Sequence, residues 1–343
     1  MVRLKDIAQI ADVSVMTVSK ALRDEPDVSE VTRAKIKALA LQMGYVPDSS
    51  AQGLRTKTTK LLGLVIPTAT DPIYARIVLA IEEQAHQLGY DLLLAHTYNQ
   101  AEREDDCLRR MLSRRVDGLF ITPAYRLEAE ARIYQEIAVR KTPTVLLGPP
   151  ASFCKNFAGI EIEELVASYN LTRHLLGLGH KKIAYFTGPQ AAPWAHERFE
   201  GYRRALREAN LELDDKLVFQ AGNTIEEGSQ AALQMLKEGC HPTAIQAVSA
   251  LAAIGCAEAL LHHGLKIPED ISVAGFGNIL AAEFYRVPLT TIRQPKYRLG
   301  VAAMETMMHL IRHEPFHLKR LPAELEQRKS TAPPKKGAEA AKS

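Results

Sequence analysis

Two short amphipathic segments separated by a break occupy Leu4 to Leu22, and they limit most strictly what the N-terminal region can fold into. The first has small or branched apolar residues at helical spacing: Leu4, Ile7, Ala8 and Ala11. The break contains Ser14, a residue type that favours the N-cap of a following helix. In that second helix one face is apolar (Val18, Ala21, Leu22), and the outer positions are Val15, Met16, Ser19 and Lys20. Two short helices joined by such a turn are typical of the helix-turn-helix, whose second helix enters the DNA major groove.

A third helix and a basic segment strengthen this interpretation, because two amphipathic helices alone occur in many small helical domains. The sequence predicts a helix over 30–43, capped by Ser29 and ended by Gly44. Residues 49–60 then contain three basic and no acidic side chains. Residues 1–60 carry the whole formal net charge of +3. A locally basic segment beside a helix-turn-helix is suited to neutralising DNA phosphates.

From Lys60 onward, short apolar runs alternate with helical patterns, which predicts an α/β class of fold. The expected strands are 61–67, 90–95, 116–121, 142–147, 182–189, 217–220, 244–248 and 271–276. The expected helices are 74–88, 101–114, 127–140, 164–178, 195–209, 226–238 and 251–263. The pattern indicates two doubly wound parallel sheets, with a ligand cleft at the carboxyl ends of the strands.

Several classes of protein do not fit the sequence. No apolar run reaches the ~18–20 residues that span a bilayer, and the N-terminus is charged rather than signal-like, so we expect a cytoplasmic protein without membrane contact. The four cysteines lack metal-ligand spacing, which favours free thiols. No catalytic, metal or cofactor motif occurs. We therefore expect neither an enzyme nor a cofactor.

Short motifs that match those of one family of known proteins run along most of the chain. Those of the first 60 residues are Leu4-Lys5-Asp6-Ile7-Ala8, Ala11-Asp12-Val13-Ser14, Thr17-Val18-Ser19-Lys20-Ala21-Leu22, Val28-Ser29, Thr32-Arg33, Gly44-Tyr45-Val46-Pro47 and Leu54-Arg55-Thr56. Later ones are Val116-Asp117-Gly118, Gly179-His180, Gly188-Pro189, Arg198, Gly201-Tyr202, residues 271–276 and residues 289–295. Through them the chain resembles the lactose-repressor (LacI/GalR) family of bacterial transcription regulators. The resemblance implies an all-α helix-turn-helix head followed by a periplasmic-binding-protein-like core of two doubly wound parallel-sheet subdomains.

The resemblance also implies a division of the chain. We expect a DNA-binding head at 1–47, a hinge segment at 48–60, and crossings between two core subdomains near 160, 292 and 323. The expected core subdomains are 61–160 with 293–323 (N-terminal) and 161–292 with 324–328 (C-terminal). Residues 329–343 contain Pro333-Pro334 and Lys335-Lys336 without apolar periodicity, which predicts a disordered tail.

Family positions assign DNA contacts. In the family, the residues at the positions of Val15, Met16 and Lys20 determine base specificity. Apolar groups can pack on the thymine methyl, and lysine can donate to guanine. The full expected set is Ser14, Val15, Met16, Thr17, Ser19, Lys20, Thr32, Leu54 and Arg55. The alternative for Val15 or Met16 is packing against the third helix. Leu54 would enter the minor groove once the hinge folds on DNA in a dimer, and Gly53 would make that folding harder.

The resemblance to the family also assigns residues that contact the effector. Arg198 matches an arginine that grips sugar hydroxyls or carboxylates; its alternative is a surface ion pair with Glu197 or Glu200. The full expected set is Ile73, Tyr74, Trp194, Arg198, Asn223, Phe276 and Asn278. Polar residues common in the family are absent at Gly148, Ile162, Ser249-Ala250 and Gly277. These losses leave three options: a less polar or anionic effector, a modified sugar, or no small effector.

The favoured function is therefore sequence-specific binding of double-stranded operator DNA by a homodimer, most simply as a repressor, with a small molecule in the cleft as modulator. A solute-binding or sensor protein without DNA binding is the alternative that the core alone would allow. A regulator that works without a small effector is the other.

Overall fold

The computed structural model describes residues 2–46, 58–316 and 319–335, and the chain divides into two compact units, 1–59 and 60–343. The first unit has three helices: α1 (Leu4–Ala11), α2 (Val15–Leu22) and α3 (Glu30–Gln42). Ser14 caps α2 by accepting a hydrogen bond from Thr17 N at 3.0 Å, and Ser29 caps α3 in the same way through Thr32 N. The capping residues of both helices are those that the sequence predicts.

The core of this unit lies where the three helices meet. It consists of small and branched side chains: Ile7, Ala8, Ala11, Val18, Ala21, Val28, Ile36 and Ala40. Arg33 closes the turn between α2 and α3, because its Nη2 donates to the carbonyl oxygens of Glu25 and Val28 at 2.8 and 2.9 Å. This bracing fixes the orientation of α2 within the head.

The first six-stranded sheet of the second unit is parallel throughout, with strand order β11-β5-β4-β3-β1-β2. Its strands are β1 (Leu61–Ile66), β2 (Asp91–His96), β3 (Gly118–Ile121), β4 (Thr144–Leu147), β5 (Ala158–Ile162) and β11 (Lys319–Leu321). The helices around it are α4 (Pro72–Gln87), α5 (Ala101–Ser113), α6 (Arg132–Arg140) and α12 (Lys296–Ile311). Separate apolar clusters cover its two faces, so the sheet is doubly wound.

The second sheet has the order β12-β10-β9-β8-β6-β7, and only the β10–β12 pair is antiparallel. Its strands are β6 (Ile183–Thr187), β7 (Val218–Gln220), β8 (Ala244–Ala247), β9 (Ser272–Phe276), β10 (Thr290–Arg293) and β12 (Glu324–Glu326). Its helices are α7 (Glu164–Gly177), α8 (Pro193–Glu208), α9 (Ile225–Lys237), α10 (Ala250–His262) and the short α11 (Leu280–Glu283). Two further clusters cover its faces.

The chain passes between the sheets three times: after β5, after β10, and in the two residues between β11 and β12. Helix α7, which follows the first passage, packs closely on α8. A side chain at Gly201 of α8 would lie 2.3 Å from the carbonyl oxygen of Leu165, so only glycine allows α7 and α8 to approach this far.

No helix in the described part of the chain is long and apolar enough to cross a bilayer.

Two local expectations are wrong. Helix α6 begins at Arg132 rather than 127, because residues 122–131 form a loop whose Arg126 is held by Glu104 and Asp105 of α5. Residues 329–335 of the expected disordered tail are ordered against β9: Ser330 is fully buried and donates to Val273 O, while its own carbonyl accepts from Val273 N at 2.9 Å. Hydrogen bonds of the main chain and of the Ser330 hydroxyl hold this segment, so its sequence needs no apolar periodicity. Residues 336–343 lie outside the described part.

Candidate DNA-reading face and effector cleft

The outer face of α2 carries apolar side chains that the protein leaves in solvent. Val15 is 46% and Met16 63% exposed, and neither belongs to the core of the head. The alternative that Val15 or Met16 packs against α3 is therefore wrong. Buried Val18 and Ala21 hold the opposite face of the helix, which explains why α2 stays folded while it exposes these two residues. Apolar groups presented in this way are available to thymine methyl groups.

Hydroxyl groups surround this face, and each has a partner within the head. Ser14 Oγ lies 2.9 Å from Thr17 Oγ1, and Thr32 Oγ1 lies 2.8 Å from Ser29 Oγ at the start of α3. Ser19 Oγ accepts from Arg23. Hydroxyls at helix N-termini can keep these contacts and still offer a second hydrogen bond to a phosphate.

Lys20 is not free in this conformation, because its ammonium group forms an ion pair with Asp27 in the turn before α3. The Asp27 carboxylate raises the pKa of Lys20, and Lys20 in turn lowers the pKa of Asp27. Both side chains remain partly exposed, so the lysine can leave this partner for a base edge. The hinge residues Leu54 and Arg55 lie outside the described residues.

The cleft lies at the carboxyl ends of the strands in both sheets, where ligands of such folds bind. Asp71 and Ile73 follow β1, Tyr125 follows β3, Trp194 follows β6, and Phe276 ends β9. Because parallel strands of each sheet end at one edge, these side chains, distant in sequence, meet in one place.

Arg198 is at the centre of the cleft and only 4% exposed, and two of its guanidinium nitrogens donate hydrogen bonds within the protein. Nε donates to Glu164 Oε2 at 2.7 Å and Nη1 to Val248 O at 2.6 Å. Its guanidinium carbon lies 4.5 Å from the Trp194 ring centroid and 4.2 Å from that of Phe276. The expected alternative of a surface pair with Glu197 or Glu200 is wrong.

Aromatic side chains from both sheets close one side of the cleft. Trp194 Nε1 donates to Tyr125 Oη at 3.2 Å, which joins the loop after β3 to α8. A cavity of about 60 Å³ lies between these two residues and Tyr74. Burial raises the pKa of Tyr74 well above its usual value, and also raises that of Tyr125. Both hydroxyls therefore stay protonated at neutral pH.

A second cavity of about 10 Å³ is lined by three of the expected effector residues, Ile73, Asn223 and Phe276, together with Asp71 and Ser249. Asp71 caps α4 by accepting from Ile73 N at 2.9 Å, and desolvation raises the pKa of its carboxyl group. Both cavities are smaller than a sugar ring needs, so a ligand would have to displace side chains or open the cleft.

Asn278, like Arg198, makes its side-chain hydrogen bonds within the protein. Its Oδ1 accepts from Arg328 Nη2 at 2.5 Å and from Thr291 at 3.4 Å. Nearby, Lys296 of α12 donates to the carbonyl oxygens of Gly277 and Asn278 and thereby ties a helix of the first sheet to the second. Desolvation lowers the pKa of Lys296 to about 8.

Residues that sequence reasoning missed complete the site: Glu164, Gln294, Lys296, Asp71 and Tyr125. Gln294 lies within the matched motif at 289–295 and Lys296 directly follows it, a signal that could have drawn attention to them. Glu164 had no such signal. Its neighbour Arg198 lies 34 residues away, and only the packing of α7 on α8 brings the two together.

Comparison with known proteins decides the family. Residues 3–48 match "Bacterial regulatory proteins, lacI family", and residues 59–331 match "Periplasmic binding proteins and sugar binding domain of LacI family". The chain belongs to the LacI family of bacterial regulators. It is a DNA-binding transcriptional regulator with a helical head and an α/β core, as the sequence predicts.

Relatives of this LacI-family chain include transcriptional repressors similar over almost the whole length. It is 31% identical to the HTH-type transcriptional repressor PurR of Haemophilus influenzae, covering 92% of both chains. It is also 31% identical to the repressor CytR of Escherichia coli K12, covering 88% of this chain and 87% of the relative. The solved lac repressor dimer, bound to operator and the anti-inducer ONPF, superposes with a TM-score of 0.88 at 29% identity, covering 96% and 99%.

Proposed function

We propose that this LacI-family regulator is a cytoplasmic repressor that binds a pseudo-palindromic operator as a homodimer, with a small molecule in the cleft as its signal. The observation that carries the DNA part is the outer face of α2, where Val15 and Met16 are exposed beside Lys20. Exposed apolar side chains on a helix-turn-helix are removed from water only when a partner surface covers them. The operator and the dimer of the lac repressor support the proposed partners.

The proposed roles differ along the head. Val15, Met16 and Lys20 contact base edges, whereas Ser14, Thr17, Ser19 and Thr32 hold phosphates beside them. Leu54 and Arg55 act in the minor groove from the hinge. Phosphate contacts set the register of the head on the duplex, so the hydroxyl groups affect affinity on all sequences and the base contacts affect the choice among them.

Selection from a random DNA library with the full chain tests this proposal. We expect enrichment of a sequence with two inverted half-sites, as a two-fold symmetric dimer requires. Met16→Ala should change the preferred bases, whereas Leu41→Ala should not, since Leu41 is 84% exposed at the far end of α3. A library that shows no enrichment, or an unchanged preference in Met16→Ala, would contradict the proposed reading face.

For the cleft we propose a ligand with a planar or apolar face that lies against Trp194, Tyr74 and Phe276 and is reached by opening the Tyr125–Trp194 contact. Trp194 is the sole tryptophan of the chain, so its fluorescence reports on the cleft directly. Nucleobases, nucleosides, aryl glycosides and sugars should be titrated in turn. A ligand that changes this fluorescence should also change operator affinity, because the two properties are linked.

A second candidate is a regulator without a small effector, and the small size of both cavities favours it. In that case the Trp194 signal stays constant through the whole ligand series, and operator affinity responds to none of the compounds. Tyr125→Phe provides the control: removing this inter-sheet hydrogen bond should alter the Trp194 spectrum, which establishes that the probe is sensitive to opening.

A further inference from the structure

The charge of Arg198 is compensated inside the protein by Glu164. Both residues are nearly inaccessible, 4% and 3% exposed. Besides the 2.7 Å ion pair, the guanidinium donates to Val248 O. Arg198 therefore differs from an arginine that waits for an anionic ligand, because the carboxylate is already present as a side chain of α7.

Glu164 is fixed through both of its oxygens. Oε2 accepts from Arg198 and Oε1 accepts from Gln294 Nε2 at 2.8 Å. Rotation of the carboxylate away from Arg198 would leave two buried donors without an acceptor, which is strongly unfavourable. A ligand anion cannot take its place without disrupting this three-residue network.

Further negative charge lies next to the pair. Glu161, 4% exposed, sits at the end of β5 and forms an ion pair with Arg320 at 2.8 Å. Glu197 of α8 is partly buried, and burial, followed by the fields of Glu164 and Glu161, raises its pKa. Burial is the largest cause, so the shift reflects mainly the loss of water around Glu197, with a smaller contribution from the two neighbouring carboxylates.

Gln294 carries a buried acceptor next to the hydrogen-bond network of Glu164. Gln294 Oε1 is buried and has no donor among the described residues. It lies 3.9 Å from the position that a Cβ atom on Gly277 would occupy, and Ile73 Cδ1 lies 3.7 Å from the same point. Ile73 also lines the smaller cavity with Asp71, whereas Gln294 itself lines a separate cavity between α4 and the start of α12. The buried oxygen therefore belongs to the network that holds Glu164 rather than to the wall of the smaller cavity.

We propose that Glu164 determines the charge class of the effector: by holding Arg198 it restricts the cleft to uncharged ligands and excludes anions. This inference rests on the proposed effector function of the cleft. It also selects among the three options for the effector that the sequence leaves open, because it excludes an anionic effector held by Arg198. Glu164 is a specificity-determining residue in this account, and it acts through Arg198.

The isosteric variant Glu164→Gln tests the proposal, with benzoate and benzamide as probes of nearly equal shape that differ in charge and in the N–H donors of the amide. In the wild type we expect benzoate to bind at least tenfold more weakly than benzamide, as measured by Trp194 fluorescence. In Glu164→Gln the buried guanidinium lacks its anion, so the ratio should reverse and benzoate should bind at least tenfold more tightly than it does to the wild type. Glu197→Gln removes the same charge from the neighbouring helix and should change the ratio less than threefold.

Three outcomes would overturn the proposal: benzoate binding to the wild type as tightly as benzamide, no gain of benzoate binding in Glu164→Gln, or a gain that persists in Glu164→Gln/Arg198→Gln. The wild-type arm needs no variant and applies even if Glu164→Gln fails to show a cooperative thermal transition. Failure of the effector function itself is recognised separately: the charge preference then changes as expected, but neither probe alters operator affinity in any variant.

Discussion

The outer face of α2 and the cleft of the core differ in whether their functional groups already have partners. Val15 and Met16 are exposed, and Lys20 has only a partly exposed carboxylate partner. Arg198 in the cleft is buried, paired and stacked against two rings. The same family resemblance assigned a role to both regions. A residue that matches the family therefore indicates where a site lies. Whether its side chain is free to contact a ligand depends on neighbouring residues that the matched motifs do not include.

Replacing Arg198 with leucine should give the largest effect, because it leaves the Glu164 carboxylate buried without its cation. Breaking such a pair costs about 3–5 kcal/mol of the free energy of unfolding. Arg203→Ala on the same helix is the control, since its pair with Glu200 is half exposed and contributes about 0–0.5 kcal/mol. Urea denaturation of both variants measures the difference. Equal losses would show that Arg198 is no more engaged than a surface residue.

Lys296 should make stability depend on pH. Its pKa is about 8 in the folded chain and 10.5 in its ordinary state, so the unfolded chain binds more protons between these values. The free energy of unfolding should therefore rise with pH across this window, by on the order of 3 kcal/mol. Lys296→Met has no amine to titrate and should lack this rise. Parallel stability curves for the two proteins from pH 7.5 to 10.5 would contradict the burial of the amine.

Asp27→Asn should have a smaller effect, on the head alone. The substitution releases Lys20 from its carboxylate partner, so affinity for DNA should rise roughly two- to fivefold at low salt and less at high salt. Asp24→Asn is the matched control, because Asp24 is also exposed and pairs with Lys37 instead. Binding to one duplex at two salt concentrations measures both. A gain of the same size in the control would mean that only net charge matters.

The sequence predicted the head and the alternation of the core because both depend on short-range patterns. Ser14 and Ser29 cap the helices that follow them, and buried strands such as β1 are continuous apolar runs. The family resemblance added the DNA-binding function, which the comparisons confirm. The assignments of individual contact residues remain predictions.

Long-range pairing explains what the sequence did not predict. Glu164 meets Arg198 only because α7 packs closely on α8 at Gly201. Ser330 pairs with β9 through its hydroxyl group and its main-chain carbonyl, and no apolar pattern records these contacts. The loop at 122–131 has a partly helical composition. Its Arg126, however, is bound by Glu104 of α5, and this contact holds the loop in place. In each case the partner lies at least 22 residues away.

Base preference of Lys20→Ala, determined by selection on a DNA library beside the wild type, tests most directly that the exposed face of α2 reads the operator. Lys37→Ala is the control, since it also removes one exposed lysine from the head. The account predicts that Lys20→Ala loses its preference at one base pair of each half-site, with roughly a 10- to 100-fold loss of affinity for the wild-type operator, whereas Lys37→Ala keeps the wild-type preference. An identical base preference in Lys20→Ala and the wild type would contradict it.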